Sequence, residues 1–152
     1  MMEEKKLKEV SKAKHHILQN YFYPWALILG STHKQLFYVD CFAGEGKYEG
    51  GKPGSPLIIF RKAYDLTLKR PFRINLVFVE KNESRAERLR QYLENERLSS
   101  KLSYKVFSED SRTFTTDLID AVPYHTPVFF FIDPYGHPIS IPVINQILKK
   151  HY

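Results

Sequence analysis

Four short runs of β-branched and aromatic residues, each followed by a segment with helical periodicity, constrain this sequence more than any other feature. The runs cover residues 36–40, 74–80, 103–107 and 127–133. Near-continuous apolar runs of this length are typical of parallel strands that are buried on both faces. Strands that alternate with helices predict an α/β fold, in which right-handed crossovers connect the strands of a parallel sheet.

Two helical segments precede the second predicted strand. A polar and then aromatic pattern predicts a helical region over about residues 3–29, which Pro24 should kink or split because proline cannot donate a backbone hydrogen bond. Ser55 and Pro56 read as an N-cap and a first-turn residue, and they predict a helix that runs through about residue 68.

Three further helices are predicted in the second half of the chain. Asn82 can cap one that runs to about residue 98, and Ser140 or Ile141 begins the last one. The apolar positions expected to face inward in the three helices are Ala86, Leu89 and Leu93, then Phe114, Leu118 and Val122, then Ile144, Ile147 and Leu148.

Composition narrows the class of protein. The chain has 152 residues, of which 43% are hydrophobic, so it can bury the core of one domain, and its single cysteine excludes an intrachain disulfide. No apolar run is long enough to span a membrane, and the charged N-terminus does not resemble a secretory signal, so we expect a cytoplasmic protein. The net charge of +6 is weak support for an anionic partner.

Acidic residues and glycines gather where the predicted strands end. Five of the seven glycines lie within residues 44–54. Three runs end in Asp40, Glu80 and Asp133, and Asp110 closely follows the remaining one. Any one of these acids could simply cap the next helix. Four of them beside a glycine cluster favour a ligand site, because open parallel sheets bind ligands at the carboxyl ends of their strands.

The glycine loop does not match the common phosphate-binding patterns. Glu49 stands where a dinucleotide fingerprint has its third glycine, and the next helix cannot begin before Ser55. The Gly-Lys-Ser/Thr sequence of a Walker-type loop is also missing. These patterns favour a nucleoside-like ligand without a bound pyrophosphate.

The acids suggest which nucleoside this is. Glu80 can accept hydrogen bonds from both hydroxyls of a ribose, and Asp110 can accept one from an adenine amine. Asp40 ends the first strand, where a cationic amino-acid group could be held. A nucleoside that carries an amino-acid tail is S-adenosylmethionine.

Three motifs resemble those of class I, Rossmann-like methyltransferases. They are Val-Asp-x-Phe-Ala-Gly-x-Gly at 39–46, Val-Glu-Lys at 79–81 and Phe-Ile-Asp-Pro-Tyr-Gly at 131–136. The chain is also similar, more narrowly, to the bacterial and archaeal three-Cys-motif partner family. This likeness includes Lys-His-His-Ile-Leu at 14–18 and Gly-Ser-Pro-Leu at 54–57. That family is named for its association with a cysteine-motif protein, so the resemblance implies a protein partner.

The resemblance implies which residues bind S-adenosylmethionine. The residues that would line the methionine end of this cofactor are Asp40, Phe42, Ala43, Gly44 and Gly46. Glu80 would hold the ribose, Lys81 would flank the adenine, and Asp110 would face the adenine amine.

The resemblance also implies a catalytic segment, which consists of Asp133, Pro134 and Tyr135 and is followed by Gly136. It takes the place of the Asp/Asn-Pro-Pro-Tyr/Phe segment of amino-methyltransferases. In those enzymes the acid or amide and the following carbonyl accept hydrogen bonds from an exocyclic amine, and the aromatic ring stacks on the base. The single proline is closer to one group of tRNA guanine-N2 methyltransferases, so the substrate stays open.

Two functions of different classes follow. One is a methyltransferase that acts on an exocyclic base amine of nucleic acid, either RNA or DNA. The other is a non-catalytic module with a methyltransferase-like fold, which docks a cysteine-motif partner protein. No metal site is predicted, because the adjacent His15 and His16 would point in different directions from a helix and no acid or cysteine completes a set.

The expected organisation is an N-terminal helical extension over 1–30 and a cofactor-binding domain over 31–152, with strands in the order 3-2-1-4. A class I methyltransferase sheet has seven strands, so we expect this chain to contain the N-terminal half of such a domain. The fourth strand would then have an uncovered apolar edge, which predicts a homodimer formed through that edge.

Overall fold

The computed structural model describes residues 2–134 and 140–151. The elements in chain order are α1 (Met2–Gly30), β1 (Gln35–Asp40), α2 (Ser55–Lys69), β2 (Arg73–Val79), α3 (Glu83–Glu94), β3 (Leu102–Phe107), α4 (Ser111–Ala121), β4 (Val128–Phe131) and α5 (Ile141–His151). The four strands form one sheet in the order β3-β2-β1-β4. The predicted α/β fold, the strand order and the flanking helices are therefore confirmed.

All strand pairs are parallel, and their carboxyl ends reach the same edge of the sheet. Asp40, the last residue of β1, lies opposite Phe78 of β2 and Phe131 of β4. Val79 of β2 lies opposite Phe107 of β3. The residues that follow the four strands therefore all lie at one edge of the sheet. This is the edge where the sequence predicts a ligand site.

Helix α1 contributes side chains to the larger of the two hydrophobic cores. Leu18, Phe22 and Ala26 recur every four residues and are buried together with strand residues. The ring of Phe22 packs edge-on against Tyr38, with 5.5 Å between centroids. The opposite face of the sheet is covered by α4, whose Leu118 is buried in a second cluster.

Pro24 does not split α1. The helix continues through it from Met2 to Gly30, so of the two expected effects, a kink or a split, the split is absent. Phe22 and Ala26 on either side of Pro24 are both fully buried in the same core. Burial of both halves against one sheet compensates for the hydrogen bond that proline cannot donate.

One predicted N-cap and one predicted helix end are also wrong, although α2 spans the residues that the sequence predicts for it. Gly54, not Ser55, is the N-cap of α2, and the Ser55 hydroxyl instead donates a hydrogen bond to the Asp40 carboxylate. Helix α3 ends at Glu94 instead of near residue 98, because Asn95 closes it with hydrogen bonds to the carbonyls of the last turn. The predicted cap at Asn82 is confirmed, since its side chain accepts from the Arg85 backbone.

The predicted inward face of α5 is wrong where the side chains are described. Ile144 and Leu148 are 39% and 48% exposed. Helix α5 packs against α4, and these two side chains are not buried in the core. The side chains of Phe114 and Ile147 lie outside the described residues.

Among the helices of the described ranges, none combines the length and the apolar character that crossing a lipid bilayer requires.

Replacing Phe22 tests whether α1 belongs to the core. Phe22→Ala removes a fully buried ring, and we expect the free energy of unfolding to fall by about 3–5 kcal/mol. Tyr23→Ala, one residue away and 42% exposed, is the matched control and should lower it by less than about 1 kcal/mol. Urea unfolding measures both. Equal losses for the two variants would contradict the packing of α1.

Candidate active site

The carboxyl edge of the sheet gathers three of the four predicted acids. Asp40, Glu80 and Asp133 lie close enough that the charges of Glu80 and Asp133 both raise the pKa of Asp40. Asp110 lies further along this edge, after β3 at the start of α4. The predicted clustering at the strand ends is therefore present, with Asp110 engaged separately.

The Asp40 carboxylate anchors the loop that follows β1. Its carboxylate is fully buried, accepts a hydrogen bond from the Ser55 hydroxyl at 2.8 Å and accepts another from the Phe42 backbone at 3.2 Å. Burial raises the pKa of Asp40 to about 7, against the effect of these two hydrogen bonds. Asp40 thus joins the end of β1 to the start of α2 and has no surface exposed to solvent.

The two glycines of the loop have different roles. Both have positive φ, +73° at Gly44 and +91° at Gly46, which favours glycine. A Cβ at Gly46 would lie 2.9 Å from Leu89 Cδ1, so the backbone of Gly46 packs closely against α3. A Cβ at Gly44 would meet no atom within 4 Å. Gly44 therefore presents bare backbone to open space, where a ligand could lie against it.

The residues between the glycine loop and α2 form a closed excursion. Gly54 N donates to Gly46 O at 2.7 Å, and Lys47 pairs with Pro53 in an isolated bridge. Tyr48 extends from this excursion to α1, where its hydroxyl lies 3.3 Å from His15 Nε2. The excursion thus connects the glycine loop to the start of α2 and also contacts α1.

Glu80 links the loop after β1 to the turn after β2. Its Oε2 accepts from Gly44 N and its Oε1 accepts from Asn82 N, each at 2.9 Å. Glu80 is half-buried, and each carboxylate oxygen can accept a second hydrogen bond. The carboxylate can therefore hold the loop and still receive ligand hydroxyls.

Asp110 caps α4, which is the alternative role that the sequence left open for each acid. It accepts hydrogen bonds from the Arg112 backbone and guanidinium, and its Oδ2 lies 3.1 Å from Lys81 Nζ. The Arg112 guanidinium holds the pKa of Asp110 below its usual range. The contact between Asp110 and an adenine amine stays a prediction. The amine would have to share the Asp110 carboxylate with Arg112 and Lys81.

Asp133 is paired with a residue that the sequence did not place in the site. Lys14 Nζ donates to Asp133 Oδ1 at 2.7 Å across 119 residues of chain. Pro134, which follows, is half-buried. Tyr135 lies outside the described residues. Lys14 belongs to a motif that carried the family resemblance, but nothing in the local sequence indicated that α1 crosses the end of β4.

Phe42 and Ala43 complete the loop that the sequence predicted. Phe42 is half-buried in the second cluster, whereas Ala43 is buried and its backbone donates to Val79 O at 2.9 Å. Cys41 is buried, and burial raises its pKa to about 12, which disfavours the reactive thiolate form. Within the described part of the chain, no set of three or more His, Cys, Asp or Glu could hold a metal ion.

Comparison with known proteins gives a likeness in structure but none in sequence family. No protein-family model and no curated protein matches the chain. Among solved structures, it is similar to a Haemophilus influenzae protein described as a "putative methylase", with a TM-score of 0.48 and 20% sequence identity. The match covers 89% of this chain but 64% of that one, so the chain spans less than two thirds of that protein's length. The interpretation of the site therefore depends on its own residues.

The raised pKa of Asp40 gives a pH dependence of stability with a definite sign. The folded protein holds this proton up to pH of about 7, whereas the ordinary pKa is 3.8. The free energy of unfolding should therefore fall as the pH rises between these values and level off above pH 7. Asparagine cannot ionise, so Asp40→Asn should remove this pH dependence. The slope of the free energy of unfolding that it removes is at most about 1.4 kcal/mol per pH unit.

Urea unfolding of the wild type and the variant at pH 5, 6, 7 and 8 measures this slope. Asp110→Asn is the control, because the pKa of Asp110 is lowered and this group is ionised in folded and unfolded chains over that range. Parallel pH curves for wild type and Asp40→Asn would contradict the assignment.

Proposed function

We propose that this chain binds S-adenosylmethionine at the carboxyl edge of the sheet and acts as a methyltransferase on an exocyclic base amine of nucleic acid. The observation that carries the proposal is Gly44. Its backbone has positive φ and faces open space, and its N–H donates a hydrogen bond to Glu80, which follows β2. A nucleoside that carries an amino-acid tail could lie against this backbone, with its ribose towards Glu80.

The chemistry of the other residues fits the same cofactor. Glu80 retains acceptor capacity for ribose hydroxyls. Lys81 is 68% exposed beside Asp110, where it could flank an adenine ring. Asp40 acts through the loop that it anchors, since it is buried. The loop offers no helix N-terminus directly after its glycines, which agrees with a ligand that has no pyrophosphate.

The proposed reaction needs the substrate nitrogen to be aimed at a methyl group. When bound, S-adenosylmethionine supplies a methyl group on a positively charged sulfur, which a nitrogen lone pair can attack. Lys14 holds Asp133 Oδ1, while Oδ2 has no hydrogen-bond partner among the described residues. That oxygen could accept a hydrogen bond from an amine and so orient the lone pair. Tyr135 is proposed to stack on the base.

The nucleic-acid substrate is proposed from the catalytic segment and the charge. The chain carries a net charge of +6, and the cations Lys14, Lys81 and Arg112 all lie along the carboxyl edge. Cations in these positions could contact phosphates while an acid receives the base amine. A base in a duplex would have to leave the stack to reach Asp133.

One observation favours the second candidate, a non-catalytic module that docks a cysteine-motif partner protein. Lys14 already neutralises the carboxylate of Asp133, which would otherwise receive a substrate amine. A fold that had lost turnover could keep this ion pair as a purely structural link. The two candidates differ in one measurable property, because only the methyltransferase transfers a labelled methyl group.

Gly44 tests cofactor binding with a closely matched control. Gly44→Ala and Gly50→Ala both add a methyl group at a positive φ with no atom within 4 Å, so their backbone strain should be similar. We expect Gly44→Ala to weaken binding of S-adenosylhomocysteine at least about tenfold, and Gly50→Ala to leave it unchanged. Isothermal titration calorimetry measures both. A wild-type protein that is folded and does not bind would refute the cofactor assignment.

Asp133 tests methyl transfer. With labelled S-adenosylmethionine and total tRNA or DNA, Asp133→Ala should lower label incorporation by about 100-fold, because the amine loses its acceptor. Asp133→Asn keeps an acceptor oxygen and should retain more activity. Neither change should alter binding of S-adenosylhomocysteine. Binding without any transfer by the wild type would favour the non-catalytic module.

A further inference from the structure

Cations line the amino edge of the sheet, which is the edge opposite the candidate active site. Because the strands are parallel, residues 31–34, 69–73 and 96–101, which lead into β1, β2 and β3, all lie at this edge. We define the amino-edge patch as the cations of these segments, which are Lys34, Lys69, Arg70, Arg73, Arg97 and Lys101. Of the 23 Lys and Arg of the chain, 17 remain outside the patch, and they equal the 17 Asp and Glu in number. The patch therefore accounts for the whole net charge of +6.

Three of these cations stand side by side at the starts of neighbouring strands. Arg73 N donates to Lys34 O at 2.8 Å, and Ile74 N donates to Lys101 O at 3.0 Å. Neighbouring strands are about 4.8 Å apart, so the backbones of Lys34, Arg73 and Lys101 lie in a row about 10 Å long. Like charges that face each other across neighbouring strands are destabilising. The row therefore costs the fold stability, which favours a role in binding.

Neither ion pairs nor helix dipoles account for the patch. In the part of the chain that the structure describes, none of its six residues forms an ion pair with an acid. Glu96, the one acid in the three segments, is bound to Arg61 at 2.6 Å. Helices α1, α2 and α3 end just before this edge, and their dipoles favour cations in the last turn. Of the patch, only Lys69 stands in such a turn.

The backbone that carries the patch is held in place. Phe72, inside the segment that leads into β2, is 2% exposed and packs against Gly30 at the end of α1. Lys101 Nζ donates to Arg70 O at 2.5 Å and so joins the starts of β2 and β3. Lys101 is half-buried, whereas the other five patch side chains are exposed. The cations thus start from a fixed frame, which lowers the cost of ordering them around a ligand.

We propose that the amino-edge patch binds the phosphate backbone of a nucleic acid, at a second site away from the carboxyl edge. This inference rests on the nucleic-acid substrate of the proposed function, but on neither cofactor binding nor methyl transfer. A nucleic acid carries a negative charge at every nucleotide, so it can engage several cations in a row, whereas one small anion cannot contact them all. Contacts to phosphates position a nucleic acid without reading its sequence.

The distance between the two edges suits a single nucleic acid that contacts both. Gln35 and Asp40 begin and end β1, and their separation is five residue steps of about 3.3 Å, or about 17 Å. Ten base pairs of a duplex extend about 34 Å. The patch can therefore hold the backbone of a nucleic acid while one of its bases lies at the carboxyl edge. Nucleic acids too short to span the two edges should bind more weakly.

Fluorescence anisotropy with a labelled single-stranded RNA of about 30 nucleotides, between about 50 and 200 mM NaCl and without cofactor, tests the patch. Lys34→Glu/Arg73→Glu should raise the Kd at least about tenfold. It should also lower the slope of log Kd against log salt by about 1.4, since each phosphate contact contributes about 0.7. Arg85→Glu/Lys105→Glu is the matched control, because it reverses one exposed arginine and one exposed lysine outside the patch. This control should change the Kd less than about threefold.

Circular dichroism checks that both double variants are folded. A wild type that does not bind the RNA, or equal weakening by the two folded variants, would overturn the proposal.

An anionic lipid surface is the alternative ligand, because Leu68 and Leu98 are 57% and 58% exposed beside the patch. Co-sedimentation with phosphatidylcholine vesicles that contain phosphatidylserine tests it. Vesicle binding that requires Lys34 and Arg73, together with no RNA binding, would overturn the proposal. The Lys34→Glu/Arg73→Glu variant should bind S-adenosylhomocysteine as the wild type does. If neither binds it while RNA binding still depends on the patch, the cofactor assignment fails and the patch is supported.

Discussion

The contact between the buried Asp40 carboxylate and Ser55 is the interaction on which the site depends. It joins the end of β1 to the first turn of α2 at 2.8 Å, and the Phe42 backbone completes the coordination of the acid. Two hydrogen bonds offset only part of the cost of burying a carboxylate, which is why its pKa rises. The loop that leaves this point therefore begins from a fixed backbone, and Gly44 can face open space without collapsing onto the sheet.

The sequence alone predicted the sheet, but it did not predict which polar groups at the edge of the sheet pair with each other. Each strand is a local run of apolar residues, and parallel pairing brings the acids that follow to one edge whatever their partners are. The partners are non-local, since Lys14 reaches Asp133 across 119 residues and Glu80 reaches Gly44 across 36. Helix ends depend on such contacts too. Serine is a common N-cap residue, but the Ser55 hydroxyl donates its hydrogen bond to the buried Asp40. The N-cap of α2 is therefore Gly54.

The acids at the strand ends divide into two kinds, which residue type alone could not separate. Asp110 is saturated by the donors of α4 and by Lys81, so it behaves as a helix cap. Glu80 also accepts two backbone hydrogen bonds, but from two different loops, and it remains half-buried at the opening beside Gly44. The same hydrogen-bonding chemistry therefore caps a helix in one place and leaves a half-buried carboxylate between two loops in the other, depending on which segments the acid joins.

The closed excursion between Gly46 and Gly54 is a segment whose ends are fixed independently of the residues between them. Its two ends are already bonded to each other, so the strands and helices do not rely on the residues in between to hold Gly46 in place. Longer loops with fixed ends cost little additional closure entropy. Residues 47–53 can thus vary in length and composition while the glycine turn and α2 keep their positions. The fold therefore offers a segment beside the glycine turn that could change during evolution, or by design, independently of how the sheet and α2 are built.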